Sequence, residues 1–373
     1  MSSKRILIVT QDFPPETGGI QSYLSELARH FHQRGHHVVV ICPGSPDTPS
    51  PLPPEVKVIR IRIHSSWLFL PLIFRLPRLL GEGRFSHVVY AQWQASLSEL
   101  LMSRKSGSPQ SLCLVCGREL LTSVLIPFHK VLCRFAFRRI NVAVPISRAV
   151  ETLLLEIGRP CGKIVQVYPG VDPDRFHPVD PGFLRKRYVL DDGPVIVSMA
   201  RMVRRKGMDL LMRAFADVLK TTPSAWLVLG GDGPESPALR ALATELKVAD
   251  RVRFPGRISE EELAAHYSVA SVFALPSRQG ATDVEGFGIV YLEAGACEIP
   301  VVGTRTGGVV DAVQDGVTGL LVPQEDVEAL TGALNRLIEN PEEARGMGLA
   351  ARQRIIKELT WESTGDKFLK AMG

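Results

Sequence analysis

Apolar residues run along this chain in two alternating patterns: short continuous blocks, and stretches where they fall three or four positions apart. Residues 5–10 form the first block, and a loop that no regular element accommodates follows at 12–19, with Pro14, Pro15, Gly18 and Gly19. Ile20, Tyr23, Leu24, Leu27, Ala28 and Phe31 then repeat at helical spacing, Gly35 ends the helix, and residues 38–41 form the next block. Continuous blocks of this length predict strands buried on both faces, and the spaced stretches predict amphipathic helices. Further strands are predicted at 87–90, 112–115 and 141–145. A second series starts with a strand at 194–199, a helix at 207–220 and a strand at 225–229 that runs into Gly230, Gly231, Asp232 and Gly233. Blocks at 252–254, 272–274 and 301–303 continue it, and residues 342–373 are helical by pattern.

Strand and helix in alternation predict βαβ units, hence parallel sheets covered by helices. Residues 168–174 and 178–181 are rich in turn formers and read as a hinge between the two series. The expectation is an α/β chain of two doubly wound, Rossmann-like domains facing a central cleft. Their boundaries are expected at 1–175 and 176–355, with a C-terminal helix over 356–373 packing back towards the first domain. In such sheets ligands bind at the carboxyl ends of the strands.

A length of 373 residues suits two domains, and 45% apolar with 22% charged residues is a globular composition. The apolar runs fall short of the roughly 18–20 residues that span a bilayer. The basic start followed by Ile6, Leu7, Ile8 and Val9 reads as a first strand and not a signal peptide, so a cytoplasmic chain is expected. Of the six cysteines, Cys113 and Cys116 form a CxxC, but in a β-type run residues three apart point to opposite faces roughly 10 Å from each other. A structural role is expected for both. The net charge of +5 is unevenly spread. Residues 1–180 hold 21 Lys and Arg against 13 Asp and Glu, and the remainder 23 against 26. A basic first half suggests an acidic partner.

The densest chemistry lies at 283–293. Glu285 and Glu293 flank a Gly286, Phe287, Gly288 turn that opens an apolar helix. A helix start preceded by glycine offers backbone N–H groups and a positive dipole end to a phosphate. Glu285 is expected just before that end, near a sugar, and Glu293 about two turns inside, where it can take ribose hydroxyls. A second signal is Arg201 after a strand end with Lys206 at a helix start, two cations that can hold a diphosphate and offset the charge of its departure. Arg204 and Arg205 are read as solvated.

These residues resemble glycosyltransferase family 4 along nearly the whole chain. The Pro14 to Gly19 loop, the Arg201 and Lys206 pair, and Glu285 with Glu293 all match family motifs. So do the segments at 168–172, 230–234 and 254–257. The 12–24 and 283–293 segments are similar to the branch of GDP-mannose-dependent mannosyltransferases that extend phosphatidylinositol mannosides. The resemblance implies the GT-B fold and a retaining, metal-independent hexosyltransferase needing no cofactor beyond its nucleotide-sugar substrate, with GDP-mannose favoured. It implies catalytic roles for Arg201, Lys206 and Glu285, and donor contacts at Gly18, Gly19, Gly231, Arg257, Ile258, Phe287, Gly288, Ile289 and Glu293. On the acceptor or sugar side it implies Asp12, Tyr23, Cys116, Arg118 and Glu119. The chain departs from the family at Cys116, which stands where a histidine is frequent, and a thiol is a poor substitute in hydrogen bonding. Asp172 and Asp174 form an Asp-x-Asp, but in the hinge and around a proline, so no metal site is expected there.

The implied acceptor is lipid-linked or a glycan at the inner face of the membrane. Two stretches point to an anionic membrane surface. Residues 67–80 are apolar, edged with arginine and broken by two prolines. Over 128–139, Lys130, Arg134 and Arg138 form one helical stripe and Val131, Leu132 and Phe135 another. The competing expectation is that both pack on their own domain. Nucleic acid is not expected, since aromatic and basic residues do not interleave on strands. A UDP-sugar enzyme with a soluble acceptor, an epimerase or hydrolase on this fold, and a non-enzymatic sugar-nucleotide sensor are the alternatives. A dehydrogenase is not, because no Gly-x-Gly-x-x-Gly turn follows the first strand.

Overall fold

The structure is a computed structural model that describes residues 3–16, 18–62, 72, 76, 78–80, 85–101, 108–158, 160, 162–280 and 283–373. Most of the 67–80 segment therefore lies outside the described residues. The chain forms two compact units, Met1–Gly170 with Trp361–Gly373, and Val171–Thr360.

The first unit holds seven strands: β1 (Arg5–Val9), β2 (His37–Pro43), β3 (Lys57–Ile61), β4 (His87–Tyr90), β5 (Gln110–Val115), β6 (Val142–Pro145) and β7 (Lys163–Ile164). They lie in the order β3-β2-β1-β4-β5-β6-β7 and every pairing is parallel. β1 and β4 are buried almost throughout, as expected of strands covered on both faces. β3 and β7 were not anticipated. β3 is the sheet edge, where Lys57 and Arg60 break the apolar run, and β7 is two residues long.

The second unit repeats the plan with β8 (Val195–Met199), β9 (Trp226–Gly230), β10 (Val252–Gly256), β11 (Val272–Leu275), β12 (Val301–Thr304) and β13 (Gly319–Val322), in the order β10-β9-β8-β11-β12-β13. Its core packs Ile196, Leu227, Leu229, Val272 and Val302 against Leu211 and Phe215 of the helix Met208–Thr221 and Leu334 of the helix Val327–Glu339. In both sheets the strand order reverses beside the first strand, between β1 and β4 and between β8 and β11. Loops there diverge to opposite faces and leave a crevice, the general ligand position of doubly wound sheets.

The last helix, Trp361–Ala371, packs on the helix Gly19–Gln33 within the first unit. Trp361 meets Tyr23 edge-on at 5.5 Å, Phe368 meets Phe31 at 6.0 Å, and His30 hydrogen-bonds Asp366 at 2.9 Å. The helices can approach this closely because position 365 is glycine: a Cβ there would lie 2.1 Å from the His30 ring. Gly365→Val is expected to lower the unfolding free energy by about 1–3 kcal/mol through overpacking, read as a lower urea midpoint at unchanged slope.

Candidate active site

In the second unit the crevice is built from the ends of β8 and β11. Beyond β8 the chain passes Arg201 and turns through a short 3-10 segment, Arg204–Lys206, before the helix Met208–Thr221. Gly207 closes that turn in the left-handed region at φ 66°, and a Cβ there would lie 2.0 Å from the Pro276 carbonyl oxygen. Only glycine both adopts this backbone and lets the turn press against the end of β11. Beyond β11 come Ser277 and then Asp283 to Gly288, which opens the helix Ile289–Ala296 from the left-handed region at φ 91°.

Glu285 is the centre of this arrangement. It is buried, and its Oε2 accepts from Lys206 Nζ at 2.5 Å, from Arg205 Nη1 at 2.8 Å and from Ser277 Oγ at 3.3 Å. Arg205 also donates from Nε to Asp283 at 2.8 Å. Burial alone would raise the Glu285 carboxyl, but Lys206 first and then Arg205 outweigh it and hold the group below the ordinary carboxylate range. Arg205 is thus not the solvated residue expected of it. Its side chain is 23% exposed and joins two carboxylates. Arg201, by contrast, is exposed, and among the described residues no ion pair or hydrogen bond engages its guanidinium. Phe287 is buried and Ile289 half-buried. The first turn of their helix carries N–H groups without intrahelical acceptors.

Two glycines after β12 complete the Glu285 loop and were not picked out from sequence. Gly308 donates to the Glu285 carbonyl at 2.8 Å, and a Cβ on Gly307 or Gly308 would come within 2.3 or 2.0 Å of the carbonyl oxygens of Glu285 or Gly286. The available signal was a Gly-Gly pair directly behind a strand. Glu293 sits one turn inside its helix and not two, because the helix opens only at Ile289. Burial raises its carboxyl, and the Tyr267 hydroxyl donates to it at 2.6 Å. Gly231, at φ 119°, donates to Gly256 at 2.7 Å and lies against the Ala200 carbonyl, so the glycine run after β9 packs on the loop carrying Arg201. Arg257 is exposed and Ile258 half-buried just past β10.

In the first unit, the reversal between β1 and β4 brings Asp12 and Gln92 together, with Gln92 Nε2 donating to Asp12 at 2.8 Å. Gln92 carried no sequence signal. Burial, and then Glu16, push the Asp12 carboxyl up against the pull of Gln92 and Arg118. Beside β5, the Glu119 carboxylate accepts from the amides of Cys116 at 2.7 Å and Gly117 at 3.2 Å, so this side chain braces its own loop. Cys116 is buried and its thiol is held well above the usual range by desolvation, which leaves it inert. Cys113 and Cys116 are both free thiols. Arg118 is exposed. Tyr23 is buried, and among the described residues its hydroxyl finds no hydrogen-bond partner. Gly18 and Gly19 are exposed at the start of the helix Gly19–Gln33.

Asp172 Oδ1 accepts from the amides of Asp174 and Arg175, so the Asp-x-Asp closes a turn. Among the described residues no group of three or more His, Cys, Asp or Glu side chains is disposed to hold a metal ion, and no helix is long and apolar enough to cross a membrane.

The helix Pro127–Phe137 leaves most of its predicted apolar stripe partly open to solvent. Phe128 is 68% exposed, Val131 47% and Phe135 46%, while Leu132 and Lys130 are half-buried. The exposed stripe runs through Phe128, Val131 and Phe135 to Arg138, whose guanidinium lies over the Phe135 ring at 5.4 Å. Arg134 donates to the Ile157 carbonyl.

The chain matches the family described as Glycosyltransferase Family 4 over residues 17–175 and that described as Glycosyl transferases group 1 over residues 182–354. It is 36% identical to the GDP-mannose-dependent alpha-(1-6)-phosphatidylinositol monomannoside mannosyltransferase of Mycolicibacterium smegmatis, covering 98% of each chain. It is 31% identical to the GDP-mannose-dependent monoacylated alpha-(1-6)-phosphatidylinositol monomannoside mannosyltransferase of Corynebacterium glutamicum, covering 98% of this chain and 97% of the other. Among solved structures, sucrose-phosphate synthase from Thermosynechococcus elongatus superposes with a TM-score of 0.84 at 24% identity over 98% of both chains, which shows a shared GT-B fold.

Proposed function

Since this chain belongs to glycosyltransferase family 4 and is a glycosyltransferase, we propose that it moves mannose from GDP-mannose, with retention, to a lipid-linked acceptor of the phosphatidylinositol type. The observation that carries the reading is the Glu285 cluster at the reversal point of the second sheet. Lys206 and the unengaged Arg201 offer two cations to the diphosphate, and the helix opening at Gly288 and Ile289 offers amides. Glu285 faces the sugar hydroxyls, and Glu293 offers its second oxygen to the ribose. Gly231, Arg257 and Ile258 border the nucleoside, and Gly18 and Gly19 are proposed as further donor contacts. Asp12, Tyr23, Cys116, Arg118 and Glu119 belong to the acceptor or sugar side, with Gln92 added through Asp12.

In the reaction the bond from the sugar's anomeric carbon to the diphosphate oxygen breaks, and the acceptor oxygen bonds that carbon on the same face. The acceptor proton passes to the departing diphosphate, so no protein nucleophile is needed. The leaving charge is stabilised by cations already fixed in place. No metal or other cofactor enters this scheme.

A melting panel of GDP-mannose, UDP-glucose and UDP-N-acetylglucosamine tests the donor. A ligand held at about a hundred times its Kd adds about 2.7 kcal/mol, and the melting temperature should rise by several degrees with GDP-mannose. Stabilisation by a UDP-sugar and not by GDP-mannose would overturn the donor assignment.

The same reading puts the enzyme at the periphery of an anionic membrane at its cytoplasmic face. The exposed Phe128, Val131 and Phe135 stripe with Arg138 beside it supports this, since contiguous exposed apolar surface edged with cations marks an interfacial helix.

A further inference from the structure

Arg205 has no part in the scheme above, yet the structure ties it into the centre of the site. The charges in the cluster balance, two cations (Arg205, Lys206) against two carboxylates (Asp283, Glu285). They do not share evenly: Lys206, Arg205 and Ser277 all donate to the one oxygen, Oε2 of Glu285. A carboxylate offers about four lone-pair sites over two oxygens, so three donors crowd a single oxygen and one of them is replaceable. The two cations differ in how firmly they are held. Arg205 is clamped from both sides, Nε on Asp283 and Nη1 on Glu285, both at 2.8 Å, and its carbonyl accepts from the Arg278 amide at 2.7 Å. Lys206 is a single ammonium on a flexible stem with Glu285 as its one ion-pair partner among the described residues.

An arriving diphosphate brings negative charge and draws whichever cation can move. We infer that Arg205 is a positioning residue: clamped by Asp283, it keeps Glu285 paired and aligned while Lys206 transfers to the donor's diphosphate. This rests on the reading of the site as a nucleotide-sugar site. Without Arg205, Glu285 would be a buried carboxylate with no cation once Lys206 had left, and burial would push it towards the neutral acid. The other groups that face it do not replace that charge. Ser277 beyond β11 is neutral, and Tyr291, from the helix that Gly288 opens, donates to the Leu275 carbonyl and is itself pushed well above its usual range by burial. The backbone after β12 contributes only the Gly308 amide, which is spent on the Glu285 carbonyl.

The test compares wild type, Arg205→Gln, Arg205→Lys and Asp283→Asn. Turnover is read as GDP release from GDP-mannose with a phosphatidylinositol mannoside acceptor, across pH, and GDP affinity is read by calorimetry. Arg205→Gln should leave GDP affinity within about threefold and lower kcat on the order of a hundredfold, as loss of one preorganised contact does. It should also move the acid limb of kcat/KM up by about one pH unit, the size of shift a lost neighbouring cation gives. Arg205→Lys should recover most of the loss, because the charge returns. Asp283→Asn loosens the clamp but also removes a like charge beside Glu285, so it should lower kcat in smaller degree with GDP affinity unchanged and no upward movement of the acid limb, and it carries the test if the glutamine variant does not fold. An unchanged kcat or a loss matched by GDP affinity in either variant, or a loss in Arg205→Gln with no movement of the acid limb, would each overturn the inference. If wild type binds neither GDP nor GDP-mannose, it is the functional reading that fails.

Discussion

Lys206→Ala and Glu285→Gln are expected to fold with near-wild-type stability and to lose on the order of a hundredfold or more in turnover. Lys206 and Glu285 are the innermost groups of the cluster, with side chains only 12% and 11% exposed. The substitutions are chosen so that no buried carboxylate is left without a cation, and in the glutamine variant the Lys206 ammonium keeps an amide oxygen to donate to. Removing the lysine leaves Glu285 paired with Arg205, and glutamine keeps both the shape of the glutamate and an acceptor oxygen for Arg205. What each variant loses is a charge fixed before the reaction starts. Water could supply such a charge only by reorganising as the diphosphate leaves, and that reorganisation is part of the barrier. The measurement is kcat with donor saturating, beside a urea melt of each variant. A rate within threefold of wild type in either variant would remove that residue from the catalytic set.

Binding to anionic vesicles is expected to fall by roughly a hundredfold when Phe128, Val131 and Phe135 all become serine. The residues stand one helical turn apart on a face that leaves about half or more of each side chain to solvent, so a urea melt of the variant accompanies the binding measurement. Partly burying each of three such side chains in an interface is worth about 1 kcal/mol apiece, below the 1.5–3 kcal/mol of full burial. Charge contributes separately. Lys130, Arg134 and Arg138 give about 1 kcal/mol each near an anionic surface, so their joint replacement by glutamate should have a similar effect at low salt. High salt should reproduce that second loss but not the first, because screening acts on charges and not on apolar burial. Arg134 is the weak member of the set, since its guanidinium already serves the Ile157 carbonyl. Co-sedimentation on anionic and neutral vesicles separates the two terms. Binding indifferent to lipid charge, to salt and to both triple variants would mean that this face meets no membrane.

Much of the molecule is legible from order and spacing alone. Val38 to Ile41 and Val272 to Ala274 read as strands because a parallel strand covered on both faces has nowhere to put a polar side chain. For the same reason Lys57–Ile61 escaped notice. On the sheet edge Lys57 reaches water, and the buried Arg60 spends its guanidinium on the carbonyls of Pro14 and Pro49, so the strand loses its apolar signature. Gly207 and Gly288 mark turns because their backbone lies in the left-handed region, and Glu285 and Lys206 stand out as charges placed beside such turns.

The membership of the site was a different matter. Arg204, Arg205 and Lys206 are three consecutive basic residues, and nothing in their order says which of them faces inward. The 3-10 turn closed by Gly207 decides it, aiming Arg205 and Lys206 at carboxylates nearly eighty positions away. Gln92 meets Asp12 across eighty residues because β1 and β4 are neighbours in space, and Gly308 meets the Glu285 carbonyl because β12 follows β11 in the sheet. The helix at 127–137 was amphipathic by spacing under either reading, and only packing decided that Phe128, Val131 and Phe135 face solvent. Local sequence determined the elements and the residue types capable of the chemistry, since strand burial, helix faces and turn geometry are short-range constraints. Which of those residues meet was left to the sheet order, because a contact between distant positions depends on the path of the whole chain.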